Sequence, residues 1–155
     1  MKGTKTTGVP VRTVASALPS RSLVAVAPSD SVLHAAKLMS EGNCGSALVL
    51  SADTLVGIVT ERDILFKVVA AGIDPATTAV DRIMTKKPVC ARHDTPVTHA
   101  LYTMRELGFR HMPVIDEQRR PLGVFALRDA LPGEMAGADT LTLRATRFVQ
   151  SPDRQ

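Results

Sequence analysis

Three short stretches of this sequence carry side chains able to recognise a small polar molecule. Gly57-Ile58-Val59-Thr60-Glu61-Arg62-Asp63 leads from an apolar, strand-like run into a helical pattern. Its Thr60-x-x-Asp63 spacing fits a capping box, in which hydroxyl and carboxylate satisfy the free amides of a helix start. A cap of this kind stabilises a helix by about 1 kcal/mol. The same turn also offers a hydroxyl, a carboxylate and amide dipoles to a ligand. A carboxylate can accept hydrogen bonds from two adjacent sugar hydroxyls, and a threonine hydroxyl can donate to a phosphate or sugar oxygen. The two uses are compatible. Gly108-Phe109-Arg110-His111-Met112-Pro113-Val114 sets Arg110 beside His111 between a helix end and a strand. Arginine supplies a planar fork for phosphate, and histidine a donor whose charge depends on pH; solvated surface charge is the competing reading of the pair. Gly123-Val124-Phe125-Ala126-Leu127-Arg128-Asp129 repeats the first stretch with alanine where threonine stood. Its cap, and any ligand grip, should be weaker.

Other chemistries find less support. Cys90, His93 and His99 lie around one turn, but they lack a fourth ligand nearby and a CxxC partner, so no metal is expected. His34 and His99 occupy equivalent helix positions suited to packing or a polar rim, and Met39 and Met104 are equivalent core positions. Cys44 and Cys90 read as reduced thiols. Asp63 and His111 could approach a common ligand, yet no nucleophile stands beside a base, so no catalysis is expected.

The elements that must position these residues occur twice. Val32–Glu41 (VLHAAKLMSE) lies over Val97–Glu106 (VTHALYTMRE); beyond one extra residue, Leu107, Gly42 meets Gly108, Gly57–Val59 meets Gly123–Phe125, and Arg62-Asp63 meets Arg128-Asp129. Each copy starts with a short apolar stretch, Ser22–Ala27 or Pro88–Ala91, followed by a turn and a helical pattern. In the second copy Val97, Leu101, Met104 and Leu107 share one face, Pro96 suits the first turn and Gly108 the stop. Two strands follow in each copy, Ser46–Leu50 with Leu55–Val59 and Met112–Ile115 with Leu122–Phe125. A second helix closes each unit, long at Ile64–Ala71 and short at Ala130–Leu131. Ala71–Thr78 links the copies, and a short helix over Asp81–Thr85 enters the second. A half of ~60 residues is marginal alone, so the halves should pack about a pseudo-two-fold axis with ligand clefts between them.

The chain has 155 residues, with 19 Lys and Arg against 15 Asp and Glu for a net charge of +4. That length supports a core without disulfide staples, and two cysteines are too few for a disulfide framework. No apolar run reaches the ~18 residues of a membrane span, and the N-terminal stretch has no signal-peptide core. A soluble, cytoplasmic protein is the expectation. With no Trp, one Tyr and four Phe, the chain has few platforms for stacking bases, and nucleic acid is not the favoured partner.

The duplicated units, GIVTERD and GVFALRD at the second helix starts, RIMTKKPV between the copies and GFRHMPVID together resemble a tandem pair of cystathionine β-synthase (CBS) domains, a Bateman module, over Val14–Leu131. The resemblance implies an α/β (α+β) fold of two βαββα repeats facing each other through their sheets. It divides the chain into a flexible N-terminal segment at 1–11, repeat one at 12–72, repeat two at 73–132 and a C-terminal tail at 133–155. Thr140–Phe148 reads either as a strand at a subunit contact or as a frayed tail. The family binds adenosine compounds such as AMP, ADP, ATP and S-adenosylmethionine between repeats, as regulatory ligands and not cofactors. By position, Thr60 faces phosphate, Asp63 holds ribose, and Ile58 and Val89 line adenine. The nucleotide-sensing subunit of AMP-activated protein kinase is similar in giving ribose to one repeat and phosphate to the next; by that likeness Arg110, His111 and Arg128 face the phosphates. Cys44 departs from it, standing where that subunit offers a further arginine. A weaker mirror site would use Arg62, Pro113 and Asp129. The implied protein is a stand-alone regulatory module, homodimeric, reporting nucleotide level to an unidentified protein partner; the alternative is a ligand-independent dimeric interaction scaffold.

Overall fold

The computed structural model describes residues 11–20 and 23–138 with their side chains, and the backbone of 148–150. Among the described residues the first element is helix α1 (Val14–Ala17), followed by β1 (Ala25–Val26), α2 (Val32–Glu41), β2 (Ser46–Ser51), β3 (Thr54–Thr60) and α3 (Glu61–Ile64). It continues through β4 (Thr85–Lys86), β5 (Val89–Arg92), α4 (Val97–Leu107), β6 (His111–Ile115), β7 (Pro121–Ala126), α5 (Pro132–Ala138) and β8 (Phe148–Gln150). Two four-stranded sheets result, in the orders β1-β2-β3-β4 and β7-β6-β5-β8. In each, the first strand runs parallel to the second through a helical crossover, and an antiparallel hairpin follows. This is the mixed α+β duplicate expected from the sequence.

The crossover helices form for the reasons their spacing suggests. Val97, Ala100, Leu101 and Met104 of α4 are buried, as are Val32, Ala35 and Met39 of α2. Gly108 ends α4 in the left-handed conformation (φ 74) that glycine adopts without a Cβ penalty. Leu107, expected on the buried face, is 59% exposed at that end.

The second helix of each unit departs from expectation. In the first copy, α3 is one turn long and passes into a π-helical turn at Leu65–Val69. In the second, the chain makes only a 3-10 turn at Leu127–Asp129, extends at Ala130, and begins α5 at Pro132. Ala126 has no hydroxyl to cap a helix, a residue before proline disfavours helical geometry, and proline itself suits a first helical position.

The linker segments also cross between the halves. Val14 and Ala17 of α1 pack with Ala91, Val97, Met104 and Phe125 of the second half. Conversely Val80 and Ile83 pack with Val26, Val49, Val59 and Val68 of the first half. The segment 81–85, expected as a helix entering the second unit, is instead a 3-10 turn at Val80–Arg82 followed by β4, which pairs antiparallel with β3. A third cluster joins the sheets: Leu48, Leu55 and Ile58 meet Cys90 and Ile115. Of the anticipated strand Thr140–Phe148, residues 140–147 lie outside the described residues; the backbone of Phe148–Gln150 pairs with β5 of the same chain. Residues 1–10 of the expected N-terminal segment are likewise outside them.

Candidate ligand site between the repeats

The turn from β3 into α3 realises the capping box in full. Asp63 Oδ2 accepts from the Thr60 amide and from Thr60 Oγ1, both at 2.9 Å, while the Asp63 amide donates to Thr60 Oγ1 at 3.3 Å. Lys67, one turn on, sets its ammonium 2.7 Å from Asp63 Oδ1 and also donates to the Ile83 carbonyl at 2.7 Å. A carboxylate has about four acceptor positions, so three are engaged and capacity for a ligand hydroxyl remains. The helix cap thus holds this carboxylate in a fixed orientation at the turn.

That turn forms one wall of a cavity of about 360 Å³, within the ~300–1,000 Å³ typical of small-molecule sites. Strand β3 contributes Ile58 and Thr60, and the helix start contributes Glu61, Arg62 and Asp63. The opposite wall belongs to the second repeat: Val89 at the start of β5, then Gly108, Phe109, Arg110 and His111 between α4 and β6. Lys86 and Lys87 line it from the linker; Lys87 takes a left-handed conformation (φ 48) that turns the chain from β4 to β5. Six of the seven residues expected to form the main site, Ile58, Thr60, Asp63, Val89, Arg110 and His111, therefore border one space. Lys86, Lys87 and Glu61 were not singled out. The TKKP run was the available signal for the lysines, whereas Glu61 reads in sequence as ordinary helix surface.

Arg128 lies apart. Its guanidinium donates to the Asn43 carbonyl at 3.0 Å and lines an adjoining open depression together with Gly45, Glu61, Arg110 and His111. His111 is partly buried between these groups. Burial lowers its pKa from 6.5; Glu61 acts against that, while Arg110 and Arg128 reinforce it. The surroundings thus favour the neutral imidazole over the charged one.

The mirror position is nearly filled. Its cavity measures about 50 Å³ and is lined by Leu18, Val24, Cys44, Ser46 and Ala126 among others. Leu18 closes it by packing against Gly123, as Met84 packs against Gly57 in the other half. None of Arg62, Pro113 and Asp129 lines it. Arg62 faces the larger cavity and stacks 5.3 Å from the Phe66 ring centre, Pro113 is buried in β6, and Asp129 accepts from the Ala126 amide at 2.9 Å. Among the described residues no group of three or more His, Cys, Asp and Glu side chains is placed to hold a metal ion, and no helix is long and apolar enough to cross a membrane.

The family model of the CBS domain matches the chain twice, at residues 14–70 and 80–132. The chain belongs to the CBS domain family. Among its relatives is the CBS domain-containing protein CBSCBSPB3 of Arabidopsis thaliana, 41% identical over 92 residues, a match covering 59% of this chain and 16% of the relative. The chain thus spans about one sixth of the length of that curated relative. A CBS domain protein of Pyrobaculum aerophilum, solved in complex with AMP, shares the fold with a TM-score of 0.75 at 22% identity, over 84% of this chain and 100% of that one. The CBS domain pair of protein MJ0100, solved with 5′-methylthioadenosine and S-adenosylmethionine, matches with a TM-score of 0.68 at 30% identity, over 77% and 93% of the two chains.

Proposed function

We propose that this CBS pair is a regulatory module, not an enzyme, that binds an adenine nucleotide in the cavity between its repeats. The supporting observation is that one cavity is walled by the capped Thr60–Asp63 turn of one repeat and the Arg110–His111 loop of the other. Neither repeat duplicates both features, so each lends what its sibling lacks. In this reading Ile58 and Val89 flank the adenine, Asp63 accepts from the ribose hydroxyls, and Thr60, Arg110 and His111 address the phosphate. Arg128 joins them only when its bond to Asn43 is exchanged for one to the ligand. Solved CBS pairs carrying AMP or S-adenosylmethionine support an adenosine-based ligand.

A bridging ligand favours whichever mutual arrangement of the halves brings both walls to it. The module passes that shift to a protein partner. It works as a homodimer: Leu65, Phe66 and Val69 stand 52%, 57% and 63% exposed along one helical segment, an apolar face suited to a second copy. Its two thiols, both free, suit the reducing cytoplasm.

Titration calorimetry with AMP, together with mass spectrometry of small molecules released on denaturation, tests the reading. Saturable AMP binding at one site per chain, weakened ten-fold or more in Arg110→Ala, is expected. Wild-type protein that binds no adenosine compound yet still captures a protein partner would instead establish the ligand-independent scaffold.

A further inference from the structure

Glu61 is the one carboxylate in the cavity that the capping box does not use. Its amide donates to the Gly45 carbonyl at 3.0 Å, and its carboxylate lies so close over Gly45 that any side chain at 45 would clash with it. Only glycine at 45 leaves that seat open. In the other repeat the equivalent residue is His111, so the duplication has put a carboxylate seat where its counterpart presents an imidazole. From this seat Glu61 borders both the cavity and the adjoining depression that holds Arg110, His111 and Arg128. Its field reaches the His111 ring. On the reading of the cavity as an adenine nucleotide site, a ligand whose first phosphate meets Arg110 and His111 has Glu61 beside the route by which further phosphates would enter that depression.

We infer that Glu61 is a charge-selecting residue, which disfavours the second and third phosphates and biases the site toward singly phosphorylated adenosine. The physical basis is repulsion between a fixed carboxylate and the extra negative charges of a triphosphate. Across several ångströms of partly aqueous space, two such charges change a binding ratio on the order of ten-fold. The capping box survives loss of this charge, because Thr60 and Asp63 make it without Glu61.

The test is calorimetric titration of wild type and Glu61→Gln with AMP and with ATP, free of magnesium, at 20 mM and 300 mM salt. The expected result is that Glu61→Gln raises ATP affinity relative to AMP on the order of ten-fold at low salt, and by much less at high salt, where charges are screened within a few ångströms. A structural role for Glu61 would change both affinities together and show no salt dependence in their ratio. A low-salt ratio within two-fold of wild type overturns the inference while leaving the site in place. Failure of wild type to bind either nucleotide overturns the site and the inference with it.

Discussion

His111 joins two opposed effects. Burial lowers its pKa from 6.5, so the folded protein resists a proton that the unfolded chain accepts. The stability this contributes is present in full above pH 6.5 and is lost as pH falls from there through the lower, folded value. Ligand affinity should move the other way, since a phosphate beside the ring favours the imidazolium. Between pH 7.5 and 5.5, urea melts of the free protein are expected to show falling stability, while AMP titrations show rising affinity down to the phosphate's own second pKa of about 6. Both slopes should flatten in His111→Gln; persistence of either would remove His111 as its source. Cys90 is buried against the opposite sheet, and that burial pushes its thiol pKa up to about 11. At pH 8, alkylation followed by peptide mass spectrometry should therefore label the half-buried Cys44 well before Cys90. Side-chain types in sequence marked Asp63, Arg110 and His111 as able to hold a polar ligand, and the resemblance to a CBS pair is what brought them to one place. Both were silent on Glu61, whose position depends on a missing Cβ at Gly45, in an element distant in sequence.

At the level of elements, the strands and crossover helices were legible because each buries one face at a regular period. Segments without such a period were misread. The stretch Asp81–Thr85 looked like an entry helix to the second unit, yet Val80 and Ile83 complete the core of the first. Their contacts lie with Val26, Val49 and Val59, which no local pattern could reveal. Ile83 is 3% exposed, so Ile83→Ala should cost about 2–5 kcal/mol in urea denaturation, as for a core residue. A loss below about 0.5 kcal/mol, the value for a surface linker position, would contradict that packing. The second closing helix failed for a different reason: Ala126 replaced the capping threonine, and Pro132 restarted the helix five residues after the 3-10 turn began. The difference between Thr60 and Ala126 thus goes with a helix boundary, whereas the inequality of the two clefts comes from Leu18 packing against Gly123.

In the molecule as a whole, two copies of one unit have diverged in complementary ways. Crossed linkers and a shared sheet-to-sheet cluster hold the halves together, so the walls of the cavity meet at a defined spacing. One cleft is open, with four basic side chains and two carboxylates around it, whereas its mirror is closed by Leu18. Asp63 and Asp129 are equivalent in the duplication and each caps its own turn, but only Asp63 lines the open cleft. Calorimetric titration of AMP into Asp63→Ala and Asp129→Ala compares them directly, with a thermal melt of each variant to establish folding. Loss of hydrogen bonds to a charged group, about 1.5–3 kcal/mol, should weaken Asp63→Ala ten-fold or more and leave Asp129→Ala within two-fold of wild type. Equal losses in the two variants, or wild-type affinity in Asp63→Ala, would contradict the single shared cleft.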